Sequence, residues 1–133
     1  MNATFLDTVG LLALLELSDQ WNQVATRALA SPSLVNRPLV TTTLVFLESG
    51  NAVARKPYRR QVAEMLREFR DGGTLITPTE ADLDAAWFAY ERGEAGQAGI
   101  IDHVSFVVMR RLGLTQAFTN DGHFRAAGFE TLF

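Results

Sequence analysis

Short apolar runs alternate with longer amphipathic stretches along this chain. The short runs are rich in β-branched and aromatic residues and are bounded by turn-forming residues, which is the pattern of buried strands. They cover residues 3–6, 39–42, 75–77 and 117–119, with a last strand near residues 130–132. The sequence therefore predicts five short strands spread over the whole chain.

Between the strands, apolar residues recur every three or four positions, which predicts helices. Pro32, Pro57 and Gly113 supply stop signals after three of them. The predicted helices cover residues 9–15, 19–30, 43–55, 59–70, 80–92, 101–112 and 123–127. Glycines dominate residues 93–99, which we interpret as a loop.

This alternation of strands and helices is typical of an α/β fold with a parallel sheet covered on both faces. We expect a three-layer α/β/α arrangement around a central parallel sheet of four to five strands. A chain of 133 residues, 47% of them hydrophobic, buries one substantial core but is short for two. Residues 1–133 are therefore expected to form a single domain.

Composition narrows the chemistry that the chain can perform. It has no cysteine and only two histidines, His103 and His123, so a bound metal ion is expected to have oxygen ligands. The net charge is −3, but six of the twelve basic residues fall within residues 55–70. They form either a solvated helix face or a local patch that attracts phosphate. No run approaches a membrane span and no signal peptide is recognisable, so a cytoplasmic location is expected.

Four acidic residues occupy positions that suit a common site. Asp7 directly follows the first predicted strand, and Asp121 follows the fourth. In open parallel sheets, ligands bind beyond the carboxyl ends of the strands, where the strand order reverses. Asp102 lies in the first turn of its helix, and Glu48 lies on a helix among apolar neighbours. We expect Asp7, Asp102, Asp121 and Glu48 to converge there.

Each acid also has an ordinary structural explanation, since Asp often caps helices and Glu48 can pair with a distant cation. Four converging carboxylates would repel one another and take up protons unless a divalent cation held them ionised. Oxygen ligands suit Mg²⁺ or Mn²⁺, which can activate a water for attack on a phosphodiester. The pattern thus predicts a metal-dependent nuclease.

Four segments, in this order, resemble the PIN-domain ribonucleases, and among them the VapC-like toxins of toxin-antitoxin pairs. The segments are residues 5–8 (FLDT), 41–48 (TTTLVFLE), 101–106 (IDHVSF) and 118–124 (FTNDGHF). The resemblance extends over nearly the whole chain. One departure is Ile101, where the family often has a small hydroxyl residue before the acid.

The resemblance implies a PIN-like fold and a Mg²⁺- or Mn²⁺-dependent endoribonuclease that cleaves RNA with metal-activated water. It implies that Asp7, Glu48, Asp102 and Asp121 are the catalytic and metal-binding residues. It also implies a homodimer and a cognate antitoxin protein whose peptide blocks the site.

Seven further residues near the acids are candidates for assisting roles. Hydroxyls can orient a carboxylate or a water, although at helix starts they are often caps, and the histidines are more typical of packing. The two arginines, two turns or more after Asp102, are expected to contact phosphate or a dimer partner. These residues are Thr8, Ser105, Thr119, His103, His123, Arg110 and Arg111.

Two other classes of protein place acids at strand ends. Receiver domains and aspartate-nucleophile phosphatases need a cation to hold the phosphoryl group, but the only lysine, Lys56, lies between a helix and Pro57. A non-catalytic PIN-like domain that binds RNA or protein, with the acids acting as caps, remains the alternative.

Overall fold

The computed structural model describes residues 2–133, which form five strands and seven helices. In chain order they are β1 (Thr4–Leu6), α1 (Thr8–Leu15), α2 (Asn22–Leu29), β2 (Leu39–Thr42), α3 (Thr43–Ala52), α4 (Arg59–Asp71), β3 (Leu75–Ile76), α5 (Glu80–Glu91), α6 (Ile100–Leu112), β4 (Gln116–Phe118), α7 (Gly122–Ala126) and β5 (Glu130–Thr131). Every strand and helix that the sequence predicts is present.

The five strands form one parallel sheet in the order β3-β2-β1-β4-β5. The chain builds outward from β1 in one direction through β2 and β3, and in the other through β4 and β5. The order therefore reverses between β1 and β4, which pair through Phe5 with Ala117 and Leu6 with Phe118. This confirms the predicted α/β class and the parallel sheet, and open parallel sheets generally bind ligands in the crevice at such a boundary.

Both faces of the sheet are covered. Successive residues of a strand point to opposite faces, yet Thr4, Phe5 and Leu6 are all at most 1% exposed. The main core contains many phenylalanines. The ring of Phe106 on α6 packs edge to face against that of Phe124 on α7, with 4.9 Å between the ring centroids. The three-layer arrangement expected from the sequence follows from this double burial.

Helix α1 approaches the sheet so closely that one position has no room for a side chain. A Cβ atom at Gly10 would lie 2.0 Å from the carbonyl oxygen of Phe118 and 2.7 Å from its ring. Gly10 thus allows the helix after β1 to lie directly on β4. The contact fixes the start of α1 against the strand end that carries Thr119.

An ion pair joins α5 to α6. The guanidinium of Arg111 donates two hydrogen bonds, of 2.9 and 2.7 Å, to the buried carboxylate of Asp82. Asp82 also forms a capping box with Thr79 at the start of α5, and the Arg111 hydrogen bonds hold the pKa of Asp82 below its usual value. Arg111 therefore joins α5 to α6, and its expected contact with phosphate or a dimer partner stays a prediction.

Two helix boundaries differ from the sequence prediction by three residues, and the others by at most one. Helix α2 begins at Asn22 rather than residue 19, because the carboxylate of Asp19 accepts the N–H of Trp21 and forms a turn instead. Helix α3 ends at Ala52 rather than residue 55, and Lys56 beyond it forms an ion pair of 2.9 Å with the buried Glu16.

No helix in residues 2–133 is long and apolar enough to cross a membrane.

Candidate active site

A buried threonine connects the two sides of the crevice between β1 and β4. Thr119, at the end of β4, donates a hydrogen bond of 2.9 Å from its hydroxyl to Oδ2 of Asp7. The same hydroxyl accepts the backbone N–H of Asp121 at 3.1 Å. Asp7 and Asp121, which lie 114 positions apart, are thereby held at one edge of the sheet. From the sequence, the hydroxyl of Thr119 could either orient a carboxylate or cap a helix. In the structure it orients the carboxylate of Asp7.

Asp7 is the most deeply buried acid of the site. It occupies the residue before α1 but makes no side-chain capping hydrogen bond, so capping does not explain it. Its pKa is raised to about 7, chiefly by burial and also by the negative charges of Asp102 and Asp121, against the opposing hydrogen bond from Thr119. The crevice therefore imposes a cost on the ionised form of Asp7.

Asp102, in the first turn of α6, is in the same electrostatic environment. Burial raises its pKa to about 6, and repulsion from Asp121 and Glu48 contributes in the same direction. His123 opposes that rise. The four predicted acids therefore lie close together, since Asp102 and Asp121 act on the ionisation of Asp7, and Asp121 and Glu48 act on that of Asp102.

Glu48 reaches the crevice from α3. Its Oε1 accepts a hydrogen bond from the hydroxyl of Thr8, the first residue of α1. Among residues 2–133 it forms no ion pair, so the alternative in which a distant cation neutralises it does not apply there. Thr8 thus positions a carboxylate rather than serving only as a helix start.

Asp121 and His123 lie together at the start of α7. Oδ1 of Asp121 accepts the backbone N–H of His123 at 2.9 Å, and Nδ1 of the same histidine lies 3.0 Å from that oxygen. The imidazole Nδ1 is also 3.8 Å from Oδ2 of Asp102. From the sequence, a packing role was expected for His123, whereas in the structure its ring lies beside two acids. The sequence feature that could have indicated this is the spacing of Asp121 and His123, two positions apart at the start of α7. This spacing directs both side chains to the same end of the helix.

The donor atoms at this site fit a divalent cation. Asp102, Asp121 and His123 each offer one ligand atom, and these atoms lie within 4.8 Å of one another. Asp7 and Asp102 both have raised pKa values, chiefly because they are buried and also because other carboxylates lie close to them. A bound divalent ion would remove that repulsion and keep the carboxylates ionised.

The other candidates make structural contacts. His103 is buried against the rings of Tyr90 and Phe106, and burial lowers its pKa, which agrees with the packing interpretation. Arg110 donates to the carbonyl of Ala127 and lies over the ring of Phe129, at 5.2 Å from its centroid. Ser105 is fully buried, and its hydroxyl makes no hydrogen bond in the described part of the chain.

A parallel sheet of order 3-2-1-4-5 with acids gathered at its reversal point defines the PIN-like class of α/β/α proteins. Among solved structures, the chain is similar to the crystal structure of VapC20 from Mycobacterium tuberculosis, which is described as a sarcin-ricin loop cleaving toxin. The two share 27% sequence identity, the match covers 96% of each chain, and the TM-score is 0.79. No family model and no curated protein sequence matches the chain. The structural similarity confirms the resemblance to VapC-like PIN proteins.

Proposed function

We propose that this chain is a metal-dependent endoribonuclease and the toxin of a toxin-antitoxin pair. The observation that carries the proposal is the convergence of Asp7, Glu48, Asp102 and Asp121 on one crevice, where the neighbouring carboxylates help burial to raise the pKa values of Asp7 and Asp102. A domain that only binds RNA or protein has no physical need to gather carboxylates without cations. The similarity to VapC20, itself described as an RNA-loop cleaving toxin, supports the same conclusion.

The proposed metal is Mg²⁺ or Mn²⁺, held by the four acids directly or through water. When bound, such an ion lowers the pKa of a coordinated water and stabilises the charge that develops on the leaving oxygen. The carboxylates supply the negative charge that holds the ion. Their hydrogen bonds to Thr8 and Thr119 fix which oxygen of Glu48 and of Asp7 remains directed into the crevice.

Three of the four acids, Asp7, Asp102 and Asp121, differ in exposure in a way that suits a phosphodiester substrate. Asp7 is 2% exposed and forms the floor of the site, whereas the side chains of Asp102 and Asp121 are 17% and 24% exposed. The open side therefore lies toward α6 and α7, where an RNA backbone can approach. The deep carboxylate anchors the ion, and the shallow pair faces the substrate.

The test is cleavage of a mixed single-stranded RNA pool by the purified chain. We expect cleavage with Mg²⁺ or Mn²⁺, loss of cleavage with excess EDTA, and recovery when the metal is restored in excess. Ca²⁺ in place of Mg²⁺ serves as the control, because its larger and more flexible shell fits such chemistry poorly. Cleavage that persists in EDTA would refute a metal-dependent mechanism.

We further propose that a cognate antitoxin docks in an apolar groove between α3 and α4. The groove has a volume of about 530 Å³. Its lining is mostly apolar, including Phe46, Leu47 and Leu66, and Arg59 and Arg70 also line it. This pattern suits an amphipathic helix with an acidic edge.

We also propose that the chain is a cytoplasmic single domain that forms a homodimer. Helix α5 supports the dimer, because it exposes 54% of Trp87, 58% of Phe88 and 47% of Tyr90, and such a patch on one helix is typical of an interface.

Both partner proposals are tested by native mass spectrometry with and without coexpressed antitoxin. Without antitoxin, we expect a species with twice the 14.7 kDa mass of one chain, and on coexpression a heavier species that includes the antitoxin.

Arg59→Glu should weaken antitoxin binding about tenfold while leaving the dimer intact, because it reverses a charge beside the groove. Arg67→Glu, on the same helix but outside the groove, is the matched control. A monomeric mass, or equal effects of the two variants, would contradict the corresponding proposal.

A further inference from the structure

His123 places an imidazole nitrogen inside the acidic cluster. Its Nδ1 lies 3.0 Å from Oδ1 of Asp121 and 3.8 Å from Oδ2 of Asp102, on the side of the site that is open to solvent. The side chain is 41% exposed, so packing does not hold the ring in this position. The ring thus lies among the oxygen atoms that the proposed function assigns to the metal.

The local backbone keeps this arrangement in place. Asp121 is the residue before α7, and its Oδ1 accepts the backbone N–H of His123 itself. The N–H of Asp121 is in turn held by the buried hydroxyl of Thr119. The carboxylate and the imidazole are therefore fixed relative to each other and relative to the end of β4. A ligand set with little freedom to rearrange binds a metal with less loss of entropy.

Imidazole changes which metal such a site selects. Carboxylates suit both Mg²⁺ and Mn²⁺, whereas a nitrogen ligand favours transition metals over Mg²⁺. We propose that His123 is a nitrogen ligand of the metal site and makes it selective for Mn²⁺ over Mg²⁺. The inference rests on the proposed function, and it assigns a ligand that the carboxylate motif does not contain.

The test uses the metal alone, without RNA. Mn²⁺ is added to the purified chain, and pulsed electron paramagnetic resonance is used to detect nitrogen coupled to the bound ion. We expect a directly coordinated nitrogen in the native chain, replaced by a ¹⁵N signal after histidine labelling. His123→Asn, which keeps a polar side chain of similar size, should still bind Mn²⁺ but lose the nitrogen signal. Calorimetry should show that its preference for Mn²⁺ over Mg²⁺ falls about tenfold.

The second histidine provides the control. His103→Phe replaces a buried ring that already packs against aromatic neighbours, and it should leave the nitrogen signal unchanged. If the native chain binds Mn²⁺ without coupled nitrogen, this inference is overturned and the carboxylate site stands. If neither the native chain nor the His103 variant binds Mn²⁺, the metal-dependent function fails together with it. A signal that survives in the His123 variant also overturns the assignment.

Discussion

Asp7→Asn should reduce RNA cleavage by about 10²–10³-fold, the scale on which loss of one preorganised charged group slows an enzyme. Asparagine has nearly the same shape and can still accept the hydrogen bond from Thr119, so the change removes charge while the packing stays. Initial rates on a defined RNA with Mn²⁺ measure the effect. Most of the loss should be in kcat, because the deep carboxylate holds the ion rather than the RNA.

The same variant should be more stable than the native chain when metal is absent. The pKa of Asp7 is raised from 3.8 to about 7, so the folded state binds this proton more tightly than the unfolded state does. The stability that this proton contributes to the native chain is complete below about pH 4 and is lost as the pH rises through 7. At pH 8 in EDTA, the free energy of unfolding of Asp7→Asn should therefore exceed that of the native chain by on the order of 2–4 kcal/mol. Near pH 4 the two free energies should be almost equal.

Adding Mn²⁺ should reverse that order, because the ion stabilises the ionised native site and only weakly the variant. Thermal unfolding at pH 4 and pH 8, each with and without Mn²⁺, compares the stability of the variant with that of the native chain under all four conditions. Asp84→Asn, an exposed acid on α5 outside the crevice, is the control and should change neither cleavage nor stability appreciably. Retained activity in Asp7→Asn, or a variant less stable than the native chain at pH 8 in EDTA, would count against the electrostatic account of the site.

Gly10→Ala should destabilise the fold by about 3 kcal/mol or more. The added Cβ would lie 2.0 Å from a backbone oxygen of β4, which cannot turn away as a flexible side chain can, so α1 must shift off the sheet. Denaturant unfolding in EDTA measures the loss. Asp7 directly precedes α1, so the same shift should also impair Mn²⁺ binding.

Gly50→Ala provides the opposite case within the same chain. Gly50 lies inside α3, and a Cβ there would have no atom within 4 Å. Alanine should stabilise the helix by about 0.5–1 kcal/mol through reduced backbone entropy in the unfolded chain. If the two substitutions gave similar effects, the close approach of α1 to β4 would not be the cause.

The order of strands and helices was predictable because each element has a local signature. The β-branched run at residues 39–42 follows Pro38, and the periodic run ending at Leu112 stops at Gly113, which adopts the left-handed conformation. Boundaries were less predictable where a side chain competes with the backbone. Asp19 has the character of a helix cap, but its carboxylate forms a turn with Trp21 and delays α2 by three residues.

The acids of the candidate site were identifiable from position alone, because carboxyl ends of parallel strands share one edge of the sheet. Asp7 and Asp121 each follow a strand, so their convergence needed only that β1 and β4 be neighbours. The roles of the arginines were not identifiable. Arg111 lies 29 positions from Asp82, and only the packing of α5 on α6 shows that the pair is structural.

The sequence by itself determined the α/β class, the parallel sheet and the four acids that define the candidate site, because strand periodicity, stop signals and residue chemistry are local properties. The tertiary structure alone decided that Thr119 links Asp7 to Asp121, that Gly10 lets α1 lie on β4, and that the imidazole of His123 lies among the carboxylates. Those contacts depend on which strands become neighbours and on how closely the helices pack, and no periodicity along the chain encodes the distances involved.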